Sequence, residues 1–311
     1  MNADFTFSKI VQADKTAMKN LAYNNGGNKK LTEDNIEHWY FNNPFNSHSL
    51  WKVEVNGIME GYATTNNFRY YIDNKECLVA MPQNVLTSVN VRGKGLFNKL
   101  YYKTEADNIE ENKVDYFLTF TNEMSTPIFL NKFGYVRGKC PLSLITFLNP
   151  VDFFAKKKYK RVENLASIKT DPIFHFDNTM QKSIAYFQWR YKKYTPENLH
   201  VIAVTEDQQT IGYAFLKGEK KKGIRFLILA DILCAKEEHI RLIVEACRIY
   251  TTRNFFSFML MFDIPTGLNK RLLKTSVKDR FNFLVKGKTQ EETKMLSEKE
   301  FNFFLGDLDI V

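Results

Sequence analysis

The stretch Val85-Leu86-Thr87-Ser88-Val89-Asn90-Val91-Arg92-Gly93-Lys94-Gly95-Leu96-Phe97-Asn98-Lys99-Leu100 decides how the rest of the chain is interpreted. It begins as a strand-like run, crosses a turn rich in glycine and cations, and then enters a helical pattern. A strand that enters a helix through such a turn points unpaired backbone N–H groups at solvent, at the positive end of the helix dipole. Gly93 and Gly95 let a bulky anion approach the backbone closely. The stretch predicts a diphosphate-binding turn, and an ordinary solvated turn is the alternative.

The surrounding pattern narrows the kind of phosphate site. The chain lacks the G-x-x-x-x-G-K-[ST] pattern of a P-loop and the G-x-G-x-x-G pattern of a dinucleotide fold. A helix is predicted over residues 96–112, a strand over 116–120 and a short helix over Thr126–Lys132. The segment closes with Phe133-Gly134-Tyr135-Val136.

These residues resemble the acyl-CoA-binding core of the GNAT (Gcn5-related) N-acyltransferase superfamily. That family carries a [QR]-x-x-G-x-[GA] turn after its fourth strand, an Asn at the end of the fifth, and a Gly-aromatic pair after the next helix. Arg92, Gly95, Asn122 and Gly134-Tyr135 stand at those places here. The resemblance covers residues 53–136 and implies that acetyl-CoA or another short acyl-CoA is the cosubstrate.

The resemblance also implies roles for individual residues. The backbone N–H groups of residues 92–97 would hold the CoA pyrophosphate, and the end of the preceding strand would face the thioester. The implied cofactor-binding residues are Ser88, Val89, Val91, Arg92, Gly93, Lys94, Gly95, Leu96, Phe97 and Asn122. Two positions depart from the family: Phe97 replaces a small residue, and Leu130 replaces the Tyr that often protonates the leaving thiolate.

Composition indicates a well-packed protein. The chain has 311 residues, of which 44% are hydrophobic and 14% aromatic, with 14 Gly and 8 Pro. This length suits two domains, and the apolar content argues against intrinsic disorder.

Charge and cysteine usage indicate the class of partner. The net charge is +9 and the pI is near 9.1, yet no nucleic-acid-binding motif accompanies the lysine clusters. A basic surface also suits polyanionic ligands such as CoA and nucleotide sugars, although a solvated lysine face is the alternative. The four cysteines are scattered without C-x-x-C pairs, and no signal peptide or membrane-spanning run is evident. We therefore expect a cytoplasmic protein without a metal site, nucleic-acid partner or membrane insertion, acting as a monomer or homodimer.

The second half of the chain repeats the layout of the first. Trp39-Tyr40-Phe41 precedes Gly61-Tyr62-Ala63 by 22 residues, and Trp189-Arg190-Tyr191 precedes Gly212-Tyr213-Ala214 by 23. The order of predicted strands and helices also matches, ending with a helix over residues 270–275 and a strand over 281–285. We therefore predict an α/β (α+β) protein of two tandem GNAT-like domains, each a mixed, mostly antiparallel sheet flanked by helices. The predicted ranges are residues 1–150, with the acyl-CoA site, and 151–311, a degenerate copy that contributes to the acceptor site.

The degenerate copy lacks the glycine turn. Its corresponding sequence is Cys234-Ala235-Lys236-Glu237-Glu238-His239. Two carboxylates at a helix N-terminus satisfy the helix dipole and repel a diphosphate. One acyl-CoA site is therefore expected.

Candidate catalytic residues lie before the turn. His38 is the leading candidate base because it precedes Trp39, on a helix that lines the acceptor cleft in the family; a structural histidine is the alternative. Asn84 and Thr87 are candidates for orienting the acceptor from the strand. Trp39 and Trp189-Arg190-Tyr191 are candidate substrate-binding residues, since a guanidinium can bind a phosphate bidentately.

The expected reaction is transfer of an acetyl or small hydroxyacyl group from acyl-CoA to an amine. The expected acceptor is a nucleotide-linked amino-dideoxy sugar of surface polysaccharide biosynthesis, by resemblance to tandem GNAT proteins. Acylation of an aminoglycoside, polyamine or peptide amine is one alternative. A non-catalytic acyl-CoA-binding module is the other.

Overall fold

The chain folds into two compact units, each discontinuous in sequence. The computed structural model describes residues 4–27, 31–147, 149–169, 172–195, 197–264, 274–277 and 282–308. The amino-terminal unit draws its described residues from Met1–Tyr70, Lys75–Gly138 and Asn282–Lys299. The carboxy-terminal unit draws them from Tyr71–Asn74, Lys139–Phe281 and Glu300–Val311.

Each of the two units is built on a β-sheet. In chain order the strands are β1 (Phe5–Lys9), β2 (His48–Val55), β3 (Ile58–Ile72), β4 (Lys75–Thr87), β5 (Tyr116–Thr121), β6 (Val136–Arg137), β7 (Ser143–Phe147), β8 (Tyr159–Val162), β9 (Thr179–Met180), β10 (Leu199–Glu206), β11 (Gln209–Lys221), β12 (Ile224–Cys234), β13 (Phe258–Phe262), β14 (Lys274–Val277) and β15 (Asn282–Lys286).

Helices flank the strands, and several begin at a side-chain cap. They are α1 (Lys15–Asn24), α2 (Glu33–Ile36), α3 (Leu96–Glu110), α4 (Thr126–Lys132), α5 (Ile184–Tyr191), α6 (Glu237–Arg253) and α7 (Gln290–Glu298). Thr32, Ser183 and Thr289 cap α2, α5 and α7 through their hydroxyl oxygens, which accept from backbone N–H groups of the first turn. Within the described residues, none of the helices has both the length and the apolar character needed to cross a membrane.

The two sheets share one plan. In the amino-terminal unit the strand order is β1-β2-β3-β4-β5-β15-β6, with β4 and β5 parallel. In the carboxy-terminal unit the order is β8-β10-β11-β12-β13-β7-β14, with β12 and β13 parallel. The sequence-based prediction of two mixed, mostly antiparallel sheets flanked by helices is confirmed.

Gly61 and Gly212 show why the Gly-Tyr-Ala phrase recurs. Each pairs with a β-strand residue, Val53 or Val204, immediately before a break in register of the β2–β3 or β10–β11 ladder. A Cβ on Gly61 would lie 2.9 Å from Leu100 Cδ1 of α3, and one on Gly212 would lie 2.7 Å from Ile243 Cδ1 of α6. Each glycine therefore lets the main helix of its unit pack closely across a bulged strand.

The sixth position of each sheet is filled by a strand from a distant part of the chain. β15 lies between β5 and β6 in the amino-terminal unit, antiparallel to both. β7 lies between β13 and β14 in the carboxy-terminal unit, also antiparallel to both. β7 directly follows β6 in sequence but belongs to the carboxy-terminal unit, and β15 directly follows β14 but belongs to the amino-terminal unit.

Because of this exchange, the residues of the compact units differ from the predicted ranges 1–150 and 151–311. A single boundary at residue 150 assigns β7 to the first range and residues 282–299 to the second, whereas the units take them the other way. Turn and periodicity signals are local, and they cannot distinguish a strand that pairs with its neighbour from one that pairs 160 residues away.

Most predicted elements are confirmed with small shifts at their ends. The helix predicted over 96–112 is α3 at Leu96–Glu110, and the short helix Thr126–Lys132 is α4. The strand predicted over 281–285 is β15, at Asn282–Lys286, and residue 281 lies outside the described residues. Of the helix predicted over 270–275, residues 270–273 lie outside the described residues, and the remaining two begin β14.

The strand exchange predicts how fragments behave. A fragment of residues 1–150 lacks β15, and its absence exposes the edge of β5 beside the side chains of Phe117 and Leu118, which are buried in the full chain. We therefore expect this fragment to aggregate. A chain that joins residues 1–138 to 282–299 through a short Gly-rich turn should fold, because Gly138 N–H already donates to Phe283 O at 3.0 Å. Circular dichroism melts and size-exclusion chromatography compare them. Equally cooperative, monomeric behaviour of the 1–150 fragment would contradict the exchange.

Candidate functional site

The sheet of the amino-terminal unit opens between β4 and β5. At the start of the pair, Leu78 N–H donates to Asp115 Oδ2 at 2.9 Å, and Asp115 N–H donates to Leu78 O at 2.7 Å. The parallel ladder then pairs Val79 with Tyr116 and Ala80 with Phe117, where it ends.

Pro82 explains why the ladder ends there. Backbone groups of alternate residues face the same side of a strand, so Pro82 is the next residue after Leu78 and Ala80 to face β5. Proline has no N–H to donate, and its carbonyl accepts instead from Thr119 Oγ1 at 2.9 Å. Two residues later, the backbone N–H and C=O of Asn84 both meet Thr64 Oγ1 of β3, at 3.2 Å. The carboxyl-terminal half of β4 thus bonds to β3 and diverges from β5.

The space between the diverging strands is a cleft of about 770 Å³. Its lining residues are Gly26, Gly27, Tyr62, Gln83, Asn84, Val85, Leu86, Thr87, Val91, Arg92, Gly93, Gly95, Leu96, Phe97, Thr119, Phe120, Thr121, Asn122, Met124, Ser125, Ile128 and Phe129. Among these described residues Arg92 alone carries a formal charge, and none is a carboxylate. Burial raises the pKa of the Tyr62 phenol well above its usual value, so this group stays protonated at neutral pH.

The glycine turn forms one end of the cleft. A short 3-10 turn, Val89–Val91, leads into it, and Gly93 and Gly95 have φ angles of 78° and 71°. Both values lie in the left-handed region that glycine adopts without strain. A Cβ built on either glycine would meet no atom within 4 Å, so the turn is open. The 15-residue α3 begins directly after Gly95, and the unpaired N–H groups of its first turn make a site suited to an anion.

A loop that the sequence analysis did not assign to the site braces this turn. Asn25 Oδ1 accepts from Val89 N–H at 2.9 Å, and Asn25 O accepts from Arg92 Nη2 at 3.0 Å. Gly26 and Gly27 follow and line the cleft. In the sequence, Asn-Gly-Gly indicated only the end of a helix, because the partner of that loop lies more than 60 residues away.

Polar side chains hold the middle of β4 against the elements behind it. Asn84 Nδ2 donates to Tyr40 OH at 2.9 Å, and Tyr40 OH lies 2.9 Å from Thr64 Oγ1. Trp39 Nε1 donates to Gln83 Oε1. The predicted residue Asn84 therefore lines the cleft with its amide engaged, and Trp39 lies behind Gln83, outside the described lining.

The end of β5 forms the opposite wall. Asn122 Oδ1 accepts from the backbone N–H groups of Met124 and Ser125, at 3.0 and 2.9 Å, and Ser125 Oγ lies 3.0 Å from the same oxygen. Thr121 Oγ1 lies 2.7 Å from Thr126 Oγ1. Asn122 thus orders the start of α4, in addition to lining the cleft.

The structure shows how Phe97 and Leu130, the two residues that depart from the GNAT pattern, are packed. The Phe97 ring stacks against that of Phe133, with 6.0 Å between centroids, so this large side chain extends toward the end of α4. Leu130 packs with the apolar cluster that contains Phe129. Ser125, the residue directly before α4, is among the residues that line the cleft.

The structure gathers many of the predicted residues and leaves others apart. Asn84, Thr87, Val91, Arg92, Gly93, Gly95, Leu96, Phe97 and Asn122 line the cleft. Ser88, Val89 and Lys94 flank the turn; Ser88 Oγ accepts from Asn90 N–H at 3.1 Å. His38 is half-buried on the π-helical turn Glu37–Phe41 and is not among the described lining residues. Its role as a base stays a prediction.

The remaining predicted substrate residues are buried in the carboxy-terminal unit. Arg190 Nε and Nη2 donate to Gly306 O, at 3.1 and 3.0 Å, and Nη2 also donates to Leu308 O at 3.1 Å. Trp189 and Tyr191 are buried beside it. Arg190 thus binds the carbonyl groups of the turn around Leu305–Asp307, and its phosphate-binding role stays a prediction.

A buried ionic cluster surrounds that contact. Lys182 Nζ pairs with Asp231 and Asp307, and Tyr191 OH donates to Asp231. Burial raises the pKa of the Asp231 carboxyl to about 6, despite the neighbouring ammonium. Charges enclosed in this way stabilise only as a matched set.

The carboxy-terminal unit has a different turn where the glycine turn would recur. α6 follows Lys236 directly, with Glu237 and Glu238 in its first turn and Lys236 paired to Glu238 at 3.5 Å. This arrangement satisfies the helix dipole with carboxylates, and the number of acyl-CoA sites stays a prediction.

Comparison with known proteins identifies the fold. A scan against protein-family models and a search of curated proteins find no match for this sequence. Among solved structures, a GCN5-related N-acetyltransferase from Anabaena variabilis is similar, with a TM-score of 0.68 and 12% identity over 91% of this chain and 72% of that one. A probable N-acyltransferase from Enterococcus faecalis gives a TM-score of 0.67 and 11% identity, covering 91% of this chain and 73% of that one.

A third structure includes a bound ligand. The N-myristoyltransferase of Saccharomyces cerevisiae, solved with myristoyl-CoA, gives a TM-score of 0.54 and 8% identity, covering 84% of this chain and 76% of that one. At these identities the likeness concerns the fold: this chain has the fold of tandem GCN5-related N-acetyltransferases.

The burial of Arg190 makes a testable prediction. Replacing it by Met should lower the free energy of unfolding by about 2–4 kcal/mol, because the carbonyls of Gly306 and Leu308 lose their buried charged donor. Arg69→Met is the matched control, since Arg69 is exposed and pairs with exposed Glu76; its effect should stay within about 0.5 kcal/mol. Urea unfolding measures both. Equal stability of the two variants would contradict a structural role for Arg190 and favour the predicted ligand-binding role.

Proposed function

We propose that this protein is an N-acyltransferase that binds one acyl-CoA in the cleft of its amino-terminal unit. The observation that carries the proposal is the cleft itself, which runs between the diverging strands β4 and β5 and ends at an open glycine turn on the N-terminus of α3. A cofactor with a thin pantetheine arm and a diphosphate matches a slot that ends in backbone N–H groups.

The residues present fit such a cosubstrate. The turn around Gly93 and Gly95 would hold the diphosphate, since a backbone without Cβ atoms is open to it. Arg92 Nη2 is held by Asn25 O, which keeps its positive charge at the rim of the turn. The thioester would lie along the carboxyl-terminal half of β4, where the ladder to β5 has ended.

The lining of the cleft favours a weakly basic amine as acceptor. An alkylammonium with a pKa near 10.4 costs roughly 4–5 kcal/mol to deprotonate at pH 7, and an enzyme that uses it needs a base. The described cleft residues offer no carboxylate, and Tyr62 stays protonated. Amino-sugar amines are considerably less basic, so a larger fraction of them is already neutral at pH 7 and no side-chain base is needed.

The leaving thiolate also needs a proton. Leu130 cannot donate one, and the Ser125 hydroxyl is the lining group at the start of α4 on the same helix. Asn122 Oδ1 accepts from Ser125 N–H and lies 3.0 Å from its Oγ, which fixes the hydroxyl in place. Because a serine hydroxyl is much less acidic than a thiol, we assign Ser125 the role of orienting a water molecule that carries the proton lost by the acceptor amine to the thiolate.

The proposed acceptor is a nucleotide-linked amino-dideoxy sugar of surface polysaccharide biosynthesis, and the proposed donor is acetyl-CoA or a small hydroxyacyl-CoA. The cleft chemistry supports the low basicity of the acceptor, and the nucleotide part is supported only by resemblance to tandem GNAT proteins. A non-catalytic acyl-CoA-binding module is the second candidate, since Leu130 removes the usual acid.

The glycine turn should control cofactor affinity. Gly95→Val should weaken CoA binding about ten- to a hundredfold, because a β-branched residue at φ 71° displaces the turn from the diphosphate. Isothermal titration calorimetry measures the affinity, and the wild-type protein should bind one CoA per chain.

Gly57→Val is the matched control. Gly57 also has a positive φ, 77°, with no atom within 4 Å of a Cβ, but it lies in the β2–β3 turn outside the cleft. It carries the same backbone strain without touching the site. Unchanged CoA affinity in Gly95→Val, or a stoichiometry of two, would overturn the assignment of the site.

Acceptor basicity should determine the rate. With acetyl-CoA at pH 7, thiol release should be fast with amino-sugar nucleotides and slow with polyamines. The polyamine rate should rise about tenfold per pH unit below the amine pKa, because the neutral fraction rises by that factor. A coupled thiol assay over a panel of amines makes the comparison. Efficient polyamine acylation at pH 7 would contradict the weak-base acceptor, and CoA binding without thiol release would favour the non-catalytic module.

A further inference from the structure

Four apolar side chains project from one corner of the carboxy-terminal unit. Phe154 is 90% exposed, Phe255 75%, Val151 68% and Phe153 41%. The Phe153 and Phe255 rings lie 5.9 Å apart between centroids, so residues distant in sequence form one group. We call these four residues the apolar tip. Aromatic side chains are normally among the most buried contributors to a core, so an exposed group of three indicates an interaction surface.

The apolar tip is held rigidly from beneath. Arg253 Nη2 donates to Phe153 O at 3.0 Å and to Ala155 O at 2.6 Å. The carboxylate of buried Asp152 pairs with Arg248 at 2.8 Å. Two cations of α6 thus fix the loop that carries Val151, Phe153 and Phe154, so the exposed rings belong to an ordered structure.

Phe255 is exposed at the cost of backbone strain. Its N–H donates to Thr252 O at 3.1 Å, and Phe256 N–H donates to Thr251 O at 3.1 Å. This is the Schellman pattern of helix termination, whose left-handed residue is usually glycine. Here that residue is Phe255, with φ 58°. A bulky residue in this conformation is unfavourable, and glycine would end α6 better.

Cations follow the apolar tip directly. Lys156, Lys157 and Lys158 are consecutive and exposed, and Lys160 and Arg161 continue the run on β8. The nearest carboxylates in sequence are Asp152, which is paired with Arg248, and exposed Glu163. A cluster of lysines beside protruding aromatic rings offers both charge and apolar area to the same partner.

We propose that the apolar tip and Lys156–Lys158 together dock the protein on an anionic lipid bilayer surface. Rings of this kind enter the layer between headgroups and acyl chains, while adjacent lysines bind anionic headgroups. A single-stranded nucleic acid could bind the lysines and stack its bases on the rings, but aliphatic Val151, which is 68% exposed, offers it neither a stacking face nor a hydrogen bond, whereas it can enter the acyl-chain region of a bilayer. This inference concerns the carboxy-terminal unit and is independent of the proposed acyl transfer.

Cosedimentation of the full chain with vesicles tests the proposal. The protein should bind vesicles of phosphatidylcholine with phosphatidylglycerol and bind pure phosphatidylcholine at least about tenfold more weakly. Phe154→Ser combined with Phe255→Gly should lower the partition coefficient about tenfold or more. Phe255→Gly alone should leave the Tm unchanged or raise it, because it relieves the left-handed strain at the end of α6.

A charge-matched pair of variants locates the surface. Lys156→Gln, Lys157→Gln and Lys158→Gln together should lower the partition coefficient about tenfold or more. The same change at Lys132, Lys288 and Lys294, exposed lysines of the amino-terminal unit, should have little effect. Equal losses for the two sets would overturn the proposed surface. Wild-type vesicle binding by the Phe154/Phe255 variant would do the same, as would tight binding to RNA without binding to vesicles.

Discussion

Pro82 is the constraint on which the candidate site depends. It stands where β4 would donate its next backbone hydrogen bond to β5, and it has no hydrogen to donate. The ladder ends at Ala80, the carbonyl of Pro82 turns to the Thr119 hydroxyl, and Asn84 turns to Thr64 of β3. A proline inside a central strand is ordinarily a defect. Here it separates two strands that run in parallel and creates the cleft that they line.

The glycine turn gains its geometry from neighbours distant in sequence. Positive φ angles at Gly93 and Gly95 are intrinsic, but the position of the turn depends on Asn25, which accepts hydrogen bonds from both Val89 and Arg92. The position of β4 at the cleft also depends on distant residues, since Tyr40 and Trp39 bind the side chains of Asn84 and Gln83. Strand and turn residues that line the cleft are thus held in place by Asn25, Trp39 and Tyr40, which are not among its described lining residues.

The two units share the plan of their sheet and differ in the loops. Gly61 and Gly212 retain the same bulge and the same close approach of a helix. The helix that begins with a glycine turn in one unit begins with two glutamates in the other. Both units have a cleft, of about 770 Å³ in the amino-terminal unit and about 800 Å³ in the carboxy-terminal unit, but Glu206 and Asp207 are among the residues that line the second. The same sheet plan thus carries different charges at the start of the main helix in the two units.

The sequence by itself determined the features that depend on a few neighbouring residues. Local turn preferences and periodicity predict the glycine turn, the helix Thr126–Lys132, the Gly-Tyr-Ala repeat and the order of the strands along the chain. Only the tertiary structure decided the pairing of β15 with β5, the brace from Asn25 and the burial of Arg190. These depend on which distant segments meet, and a strand or an arginine carries the same local pattern whether its partner is a neighbour, a remote segment or solvent.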